Sequence, residues 1–558
     1  MRKTLNELLQ DSLQKHWDLK AMSNFEAKDY TYGDVADRIV RYHLAWREAG
    51  LQPGFKVALC GRNSAEWCIG LLAAITYGAV VVPLLHEFTP EMVIRLIRHS
   101  ESKVLLVGPQ VQKTLLEYIG QHPEVADAEQ QPTFGAVTAA SVAQGLTVCE
   151  LAEQDMVEPL FARDYPDGLH PADLHFHAQT ADELLMINYT SGTTSDPKGV
   201  MIPQRAMWSN MAFAEEVLPN LHSGMEVLSL LPTAHLYGMA FELMYEFIIG
   251  IHITLLNRAL SPSIILAALK AVRPHLVIVV PMLIEKIVRK GILPEYNSPK
   301  IRAMRSLPGM RSYINRKFCD GLMAALGGRI YEVIIGGAAL NAEIEQLLNE
   351  IHFPFTVGYG MTECSPIIGY ADWKEFVPGS CGKAAPRMEV RIDSSDPQHE
   401  PGEILTRGMN VMLGYYKNEE ATRHAIDADG WLHSGDMGVL DSVGNIFIRG
   451  RIKNMLLSPS GQNVYPEEIE AAVCAQPYVG ECVLVQREHR LVALVYPDRQ
   501  AADAAGLHDD AAILRYLNSR RGKVNQAFPV YAHVNAFEIV ENEFEKTPKK
   551  SIKRFLYT

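Results

Sequence analysis

Positive charge is in short supply in this chain. Fifty-two lysines and arginines face 65 aspartates and glutamates, a formal net charge of -13. A surface of that sign excludes general nucleic-acid binding, which needs a basic face. Anionic small ligands remain allowed, because a few local cations are enough to hold a phosphate. Cysteine is sparse and scattered, at Cys60, Cys68, Cys149, Cys319, Cys364, Cys381, Cys474 and Cys482. No two form a CxxC pair, so neither a zinc site nor a disulfide framework is indicated, and buried reduced thiols in a cytosolic protein are expected. Long hydrophobic runs are missing too. The longest, Leu71–Leu85 and Leu276–Ile284, are too short or too interrupted by Gly and Pro to span a bilayer. Arg2 and Lys3 open the chain, but Asn6, Glu7 and Gln10 break any secretory apolar region. There is no internal repeat or low-complexity tract. The GxxxxGK[ST] phosphate loop is also absent, which disfavours a kinase-like NTPase.

What is present is a chain of 558 residues, nearly half of them apolar, too long for one core of ordinary size. Leu5, Leu8, Leu9 and Leu13 recur at helical spacing and predict an opening amphipathic helix. Short β-rich runs then alternate with helical patterns. Strands are expected at Val57–Cys60, Ala79–Val82, Val104–Val107, Val227–Leu231, Ile251–Leu256, Leu276–Val280 and Val333–Ile335, and helices at Ser64–Tyr77 and Pro90–His99. That alternation implies an α/β fold with mainly parallel sheets. After Arg387 the pattern changes to short strands at Glu389–Ile392, Gly402–Thr406 and Asn445–Ile448, a small antiparallel β unit. A compact α/β segment follows, with a helix at Pro466–Cys474 and strands at Glu481–Gln486 and Leu491–Tyr496. We expect a large N-terminal domain over 1–450 and a small, mobile α/β domain over 451–558.

The strongest local signal is Tyr189-Thr190-Ser191-Gly192-Thr193-Thr194-Ser195-Asp196-Pro197-Lys198-Gly199, which follows a strand-like run at Leu184–Ile187. Hydroxyls and backbone amides at this density can surround phosphate oxygens, and Lys198 adds a positive charge. By composition alone the string would pass for an ordinary loop; its order and its Pro-Lys-Gly end are far more specific. Further strings follow in sequence: Leu231-Pro232-Thr233-Ala234-His235, Gly336-Gly337-Ala338-Ala339, Gly358-Tyr359-Gly360-Met361-Thr362-Glu363, Gly402-Glu403 with Gly414-Tyr415-Tyr416, Trp431 through Asp436, and Gly450 through Asn454 followed by Pro466-Glu467-Glu468-Ile469-Glu470. Together they resemble the adenylate-forming superfamily, which holds acyl-CoA synthetases, peptide-synthetase adenylation domains and luciferases. The resemblance covers nearly the whole chain.

The resemblance implies two half-reactions. A carboxylate attacks the α-phosphate of ATP and expels pyrophosphate; a thiol of coenzyme A then attacks the acyl-adenylate and expels AMP. Both reactants of the first step are anionic, so charge must be neutralised and the atoms aligned. Residues follow position by position. Lys198 with Thr190, Ser191, Gly192, Thr193 and Thr194 would hold the departing phosphates. Glu363 would bind Mg2+, with Thr193 as a second contact. Gly337, Ala338, Tyr359, Gly360, Met361 and Thr362 would border the nucleotide, Tyr359 by stacking on adenine. Asp436, an acceptor-only carboxylate, would bridge the ribose hydroxyls, with Arg451 reaching the same sugar. Each of these residues also has a plain structural reading, as a surface carboxylate, a core tyrosine or an exposed arginine. His235, Gly336, Gly337 and Ala338 would line the acyl pocket, where the lack of side chains lets an acyl chain lie against backbone. Lys453 falls at the hinge on which the small domain would rotate between half-reactions.

Amino-acid-activating relatives carry an Asp near the His235 segment. Here that segment reads His235-Leu236-Tyr237-Gly238-Met239-Ala240 with no acid, and an unpaired ammonium would be costly to bury. The region Tyr331–Leu340 and the segment after Trp431 resemble long-chain fatty acid–CoA ligases most. Two departures stand out. Ser195 replaces a loop glycine, and Ser551 stands where the family's tail lysine belongs. Lys550, one residue away, is the preferred substitute and Lys549 the alternative, since Lys549 shares a strand face with Ser551 while a bulge would turn Lys550 inward. Three readings therefore stay open: a fatty acid–CoA ligase, an aryl- or other acid–CoA ligase of the same fold, and a non-catalytic nucleotide- or acyl-adenylate-binding member. The ligase readings need ATP, Mg2+, coenzyme A and an acid, the third a nucleotide or acyl-adenylate; none needs nucleic acid, and none needs more than peripheral membrane contact at the inner face.

Overall fold

The computed structural model describes residues 3–122, 147–150, 157–190, 197–258, 261–458, 462–488, 490–547 and 552–557. Ser191, Gly192, Thr193, Thr194, Ser195, Lys549, Lys550 and Ser551 lie outside the described residues.

The alternation of β-branched runs with helical patterns produces the expected α/β architecture. Two seven-stranded sheets carry the larger part of the chain. In one, the strands Phe355–Val357, Glu332–Ile335, Leu276–Val279, Glu226–Ser229, His252–Leu255 and Lys20–Asn24 run parallel, and Asp29–Thr31 closes the edge antiparallel. In the other, Leu184–Tyr189, Val80–Leu84, Lys56–Cys60, Val104–Val107 and Thr147–Glu150 are parallel, and Gly199–Pro203 and Gly414–Tyr415 add an antiparallel edge. The parallel strands are apolar on both faces because helices cover both. The helices start where the sequence supplies caps. Ser64 accepts from the Trp67 amide to begin Ala65–Tyr77, and Thr89 caps Pro90–Ser100. The opening helix, Leu5–Lys15, buries Leu5, Leu9 and Leu13 on one side.

The expected small β unit is a four-stranded antiparallel sheet of Met388–Asp393, Gly402–Gly408, Leu432–Leu440 and Ile446–Arg451. Beyond it, Val479–Arg487, Arg490–Pro497 and Val534–Ile539 form a three-stranded sheet flanked by the helices Pro466–Cys474 and Asp510–Asn525. The residues from Leu456 onward pack around cores of their own, built on Val464, Ile469, Val483 and Phe537 among others. Cys60, Cys68, Cys364, Cys381 and Cys482 are buried free thiols, as expected; Cys319 and Cys474 are partly exposed. Among the described residues no helix is long and apolar enough to cross a membrane.

Candidate active site

The phosphate loop hangs from a hairpin neck. Leu184–Tyr189 and Gly199–Pro203 pair antiparallel, with Tyr189 opposite Gly199. At the neck the Thr190 amide donates to the Lys198 carbonyl at 2.9 Å. Gly199 is required there, since a β-carbon would lie 2.8 Å from the Ile187 Cγ2. The neck thus fixes where Lys198 leaves the sheet. Its ammonium sits 4.9 Å from the Tyr415 ring centroid, a cation–π arrangement.

Tyr415 belongs to the next strand of the same sheet, and its hydroxyl donates to Glu363 Oε1 at 2.9 Å. The sequence offered Gly414-Tyr415-Tyr416 as one of the ordered strings but gave no sign of this contact, which the pairing of Gly414–Tyr415 with Gly199–Pro203 creates. Glu363 is half-buried, and its Oε2 takes no hydrogen bond from any described residue. One carboxylate oxygen held and the other left open suits magnesium, which takes one or two carboxylates and fills the rest of its shell with phosphate oxygens and water. Consistently, no group of three or more His, Cys, Asp or Glu among the described residues is arranged as a metal cage. Glu363 is delivered by a tight turn. A β-carbon on Gly360 would stand 2.2 Å from the Pro366 carbonyl oxygen, so only glycine lets the backbone close there.

A second cluster gathers around Asp436. The strands Leu432–Leu440 and Ile446–Arg451 pair Asp436 directly with Arg451, whose Nε lies 2.8 Å from Asp436 Oδ1. Tyr359 donates its hydroxyl to Oδ2 at 2.8 Å. Burial raises the Asp436 carboxyl pKa, while Arg451 and Tyr359 pull it back down. Tyr359 is itself buried, with its hydroxyl committed to this carboxylate, so its role as a neighbour of Asp436 is visible alongside the expected aromatic surface. Glu403 steadies the turn before Asp436 by accepting from the Gly435 amide at 2.9 Å and His433 Nδ1 at 2.8 Å.

Arg451 leads straight into Lys453. That lysine is exposed, yet partial desolvation and Arg451 lower its pKa, and Asp436 and Glu467 oppose the shift. The acidic helix that follows is tied to this segment: Asn454 Nδ2 donates to Glu467 at 2.5 Å, and Arg449 pairs with Glu468 at 3.3 Å. Farther along, Arg554 is ion-paired with Glu470, and Lys546 with Glu481 and Glu543. Lys553 bonds Glu545 at 3.2 Å. The cations flanking the tail positions 547–551 are therefore neutralised by carboxylates of their own domain.

At the acyl end, two segments meet through one tyrosine. The Tyr237 ring covers Gly336, where a β-carbon would come within 2.9 Å of Tyr237 Cζ, and its hydroxyl donates to the Ile334 carbonyl at 3.3 Å. Gly337 takes a left-handed φ of +86° and has only Val280 Cγ1, at 3.7 Å, near its missing β-carbon. Gly337, Ala338 and Ala339 are exposed, as is Val280, which makes an open apolar shelf. His235 stands at the N-terminal cap position of the short helix Leu236–Gly238. The helix then widens to a π-turn over Met239–Met244, a distortion common near functional sites. Glu242 lies in it, fully buried, accepting from Ser229 Oγ and the Leu230 amide at 3.1 Å and the Leu231 amide at 2.9 Å. Burial pushes its carboxyl up to about 8. This acid, two residues beyond the stretch read as acid-free, holds the Leu230–Leu231 backbone.

Comparison with known proteins gives this geometry a lineage. The AMP-binding enzyme family description matches residues 9–416, and the AMP-binding enzyme C-terminal domain matches residues 453–557. The chain is 26% identical to the long-chain-fatty-acid–CoA ligase FadD15 of Mycobacterium bovis, over 94% of this chain and 90% of that protein. It is 26% identical to a 4-coumarate–CoA ligase of Humulus lupulus, over 82% of this chain and 76% of the relative. ATP-bound MatB from Rhodopseudomonas palustris superposes with a TM-score of 0.73 at 22% identity, covering 99% and 98% of the two chains. An anthranilate–CoA ligase in complex with anthranoyl-AMP gives 0.77 at 19% identity, covering 99% and 96%. With both family descriptions matched in order along the chain, it belongs to the AMP-binding enzyme family and is an adenylate-forming acid–CoA ligase.

Proposed function

We propose that the acid is a fatty acid, activated as its acyl-adenylate and transferred to coenzyme A with release of AMP and pyrophosphate. The observation that carries this reading is the acyl shelf. Gly337, Ala338 and Ala339 present exposed backbone and methyl groups, with Gly337 beside Val280, a surface suited to an alkyl chain. The nearest acid of the His235 segment, Glu242, is spent on three donors and faces away from that use. Relatives named as long-chain acyl-CoA ligases support the same choice.

In this reading the chain's residues divide the work. Lys198 and the loop it closes neutralise the β- and γ-phosphates as the acid's carboxylate oxygen bonds to the α-phosphorus and the bond to pyrophosphate breaks. Asp436, aimed by Tyr359 and Arg451, accepts from the ribose hydroxyls and holds the nucleotide in line. Glu363, with Oε1 fixed by Tyr415, offers Oε2 to magnesium, which would supply Lewis-acid neutralisation of the phosphate oxygens. We take residues 1–450 and 451–558 as two domains with Lys453 at the hinge, and Lys550, or else Lys549, as the tail cation reaching the α-phosphate. The thiol of coenzyme A then bonds to the acyl carbon, the carbon–oxygen bond to AMP breaks, and the thiol proton is released. We place the protein in the cytoplasm, with at most peripheral contact at the inner membrane face.

ATP–pyrophosphate exchange with a panel of acids tests the reading. Exchange should be strongest with medium- or long-chain fatty acids, and acyl-CoA should form with AMP release. A preference for coumarate or another aryl acid would replace the substrate assignment, and release of ADP and phosphate would overturn the adenylate route.

A further inference from the structure

The chain is acidic overall, yet residues 297–329 carry seven basic side chains and a single acid, Asp320. This stretch forms the helices Pro299–Arg305 and Met310–Ala325, joined by the fully exposed turn Ser306–Gly309. Two of the seven cations, Arg305 and Arg311, share Glu350 at 2.9 and 2.6 Å. The other five, Lys300, Arg302, Arg316, Lys317 and Arg329, are exposed and have no carboxylate within 4.0 Å among the described residues.

Two large apolar side chains rise through this basic field. Leu307, in the turn, is 56% exposed, and Tyr313, in the first turn of the second helix, is 63% exposed. The Met310 amide closes onto the Leu307 carbonyl at 3.2 Å. Met310, Tyr313, Arg316 and Lys317 then follow at spacings of three and four, which puts them on one helix face. Turned away from Tyr313 and Arg316, the same helix buries Asn315 and Leu322. An apolar tip flanked by unpaired cations on one outward face is not needed by the fold, which already has its core on the other side.

The platform is cross-linked by side chains. Tyr296 donates to Asn315 Oδ1 at 3.0 Å, Asn315 donates to the Glu350 carbonyl at 2.7 Å, and the Arg305 guanidinium lies 3.9 Å from the Tyr296 ring centroid. It is also coupled to the acyl shelf. The helix Pro281–Gly291 starts next to Val280, the residue facing Gly337, and continues through Leu293–Tyr296 into the platform. Eleven helical residues make a strut of about 16 Å.

We propose that this face docks on an anionic lipid bilayer. Lys and Arg gain from the negative surface potential of such a membrane, and a leucine with a tyrosine suits shallow insertion at the headgroup level. Five cations and two apolar side chains give reversible attachment, with no need for a spanning segment. The docking rests on the surface alone. Its use, drawing an acid out of the membrane toward the shelf, rests on the fatty-acid reading above.

Flotation of the full chain with vesicles, in the absence of ATP and acid, tests the docking without calling on activity. The unaltered protein should float with vesicles of phosphatidylcholine plus phosphatidylglycerol, stay behind with phosphatidylcholine alone, and be released by salt. Arg302→Glu/Arg316→Glu/Lys317→Glu should weaken binding on the order of a hundredfold. Leu307→Ser/Tyr313→Ser should weaken it several-fold. Both variants should retain exchange with a short, water-soluble acid, which shows that they fold; should the triple variant not fold, the double variant and Lys317→Glu alone decide. Equal binding to neutral vesicles, no binding by the unaltered chain, or undiminished binding by the variants would overturn the proposal. So would capture by an acidic protein with no vesicle binding, which would make the face a protein site. Vesicle binding with no activity on any fatty acid would leave the docking standing and remove the substrate reading.

Discussion

In the function proposed above, the nucleotide end and the acyl end of the active site are built on opposite principles. At the nucleotide end every chemical group is aimed by another side chain: Asp436 by Tyr359 and Arg451, Glu363 by Tyr415, Lys198 over the Tyr415 ring. At the acyl end the decisive feature is what has been left out, with Gly336 under Tyr237 and Gly337 beside Val280 in a run of Gly and Ala. Charged transition states need fixed dipoles, and fixed dipoles need partners. An alkyl chain needs volume and no partner, so its site can vary in shape while the other end stays constant. Substitutions at the nucleotide end should therefore lower turnover for every acid alike, and substitutions at the acyl end should change which acid is used.

The largest effect is expected at Glu363. Glu363→Gln keeps the shape and the Tyr415 contact but removes the charge offered to magnesium. Loss of metal stabilisation is worth roughly several kcal/mol, so ATP–pyrophosphate exchange should fall by orders of magnitude for all acids. Near-normal exchange would remove Glu363 from the metal role and leave it as a partner of Tyr415.

Next in size is the tail. Lys550→Ala should slow adenylation by about a hundredfold, the scale of losing one preorganised donor at developing charge. Thioester formation from supplied acyl-adenylate should barely change. Assays of Lys549→Ala and Lys553→Ala in both half-reactions complete the test. Loss with Lys549→Ala alone would move the role by one residue, and loss with none of the three would end the tail-cation mechanism. Lys553 is expected to be silent, since it bonds Glu545.

How far the sequence carried differs between the same two ends. Asp436, Arg451, Glu363 and Lys198 were legible because each sits in an ordered string, and the structure brings Asp436 together with Arg451 and Tyr359. The strands were legible because buried parallel strands are continuous apolar runs, although the antiparallel pairing of Gly199–Pro203 with Leu184–Tyr189 was not, since register leaves no mark on composition. Tyr415 and Glu242 were missed for a related reason. Each acts by reaching a residue distant in sequence or by turning inward on an irregular helix, and neither periodicity nor spacing announces that. The Gly336 contact with Tyr237 lies 99 positions away in sequence and is fixed by the fold alone.

A smaller effect, still shared by all acids, is expected from Tyr415→Phe. It deletes one hydrogen bond to Glu363 Oε1 while keeping the ring beneath Lys198. A hydrogen bond to a charged group contributes roughly 1.5–3 kcal/mol, so exchange should drop about tenfold or somewhat more, accompanied by a higher magnesium requirement. If excess magnesium does not restore any of the loss, Tyr415 acts through the strand and not through the carboxylate.

The smallest effect, and the one that probes the comparison most directly, belongs to Gly336→Ala. Unlike Gly337, Gly336 has no left-handed backbone, so alanine is conformationally tolerable there. The obstacle is contact. The new methyl would lie 2.9 Å from Tyr237 Cζ and 3.0 Å from its hydroxyl oxygen. The ring must therefore tilt, and its hydroxyl has only a 3.3 Å bond to the Ile334 carbonyl to hold it. A tilt costs little because that bond is already long. The displaced ring then intrudes on the shelf between the His235 and Gly337 segments. Acids that fill the shelf should lose several-fold in kcat/KM, and short acids should lose almost nothing. The KM for ATP should stay where it was, because Asp436, Tyr359 and Arg451 share no contact with Tyr237 among the described residues. Measuring exchange across a chain-length series at fixed ATP, and then across ATP at fixed acid, separates the two. A uniform loss for every acid, or a rise in the ATP KM as large as the loss for long acids, would mean that the two ends are mechanically one and that the division drawn here fails.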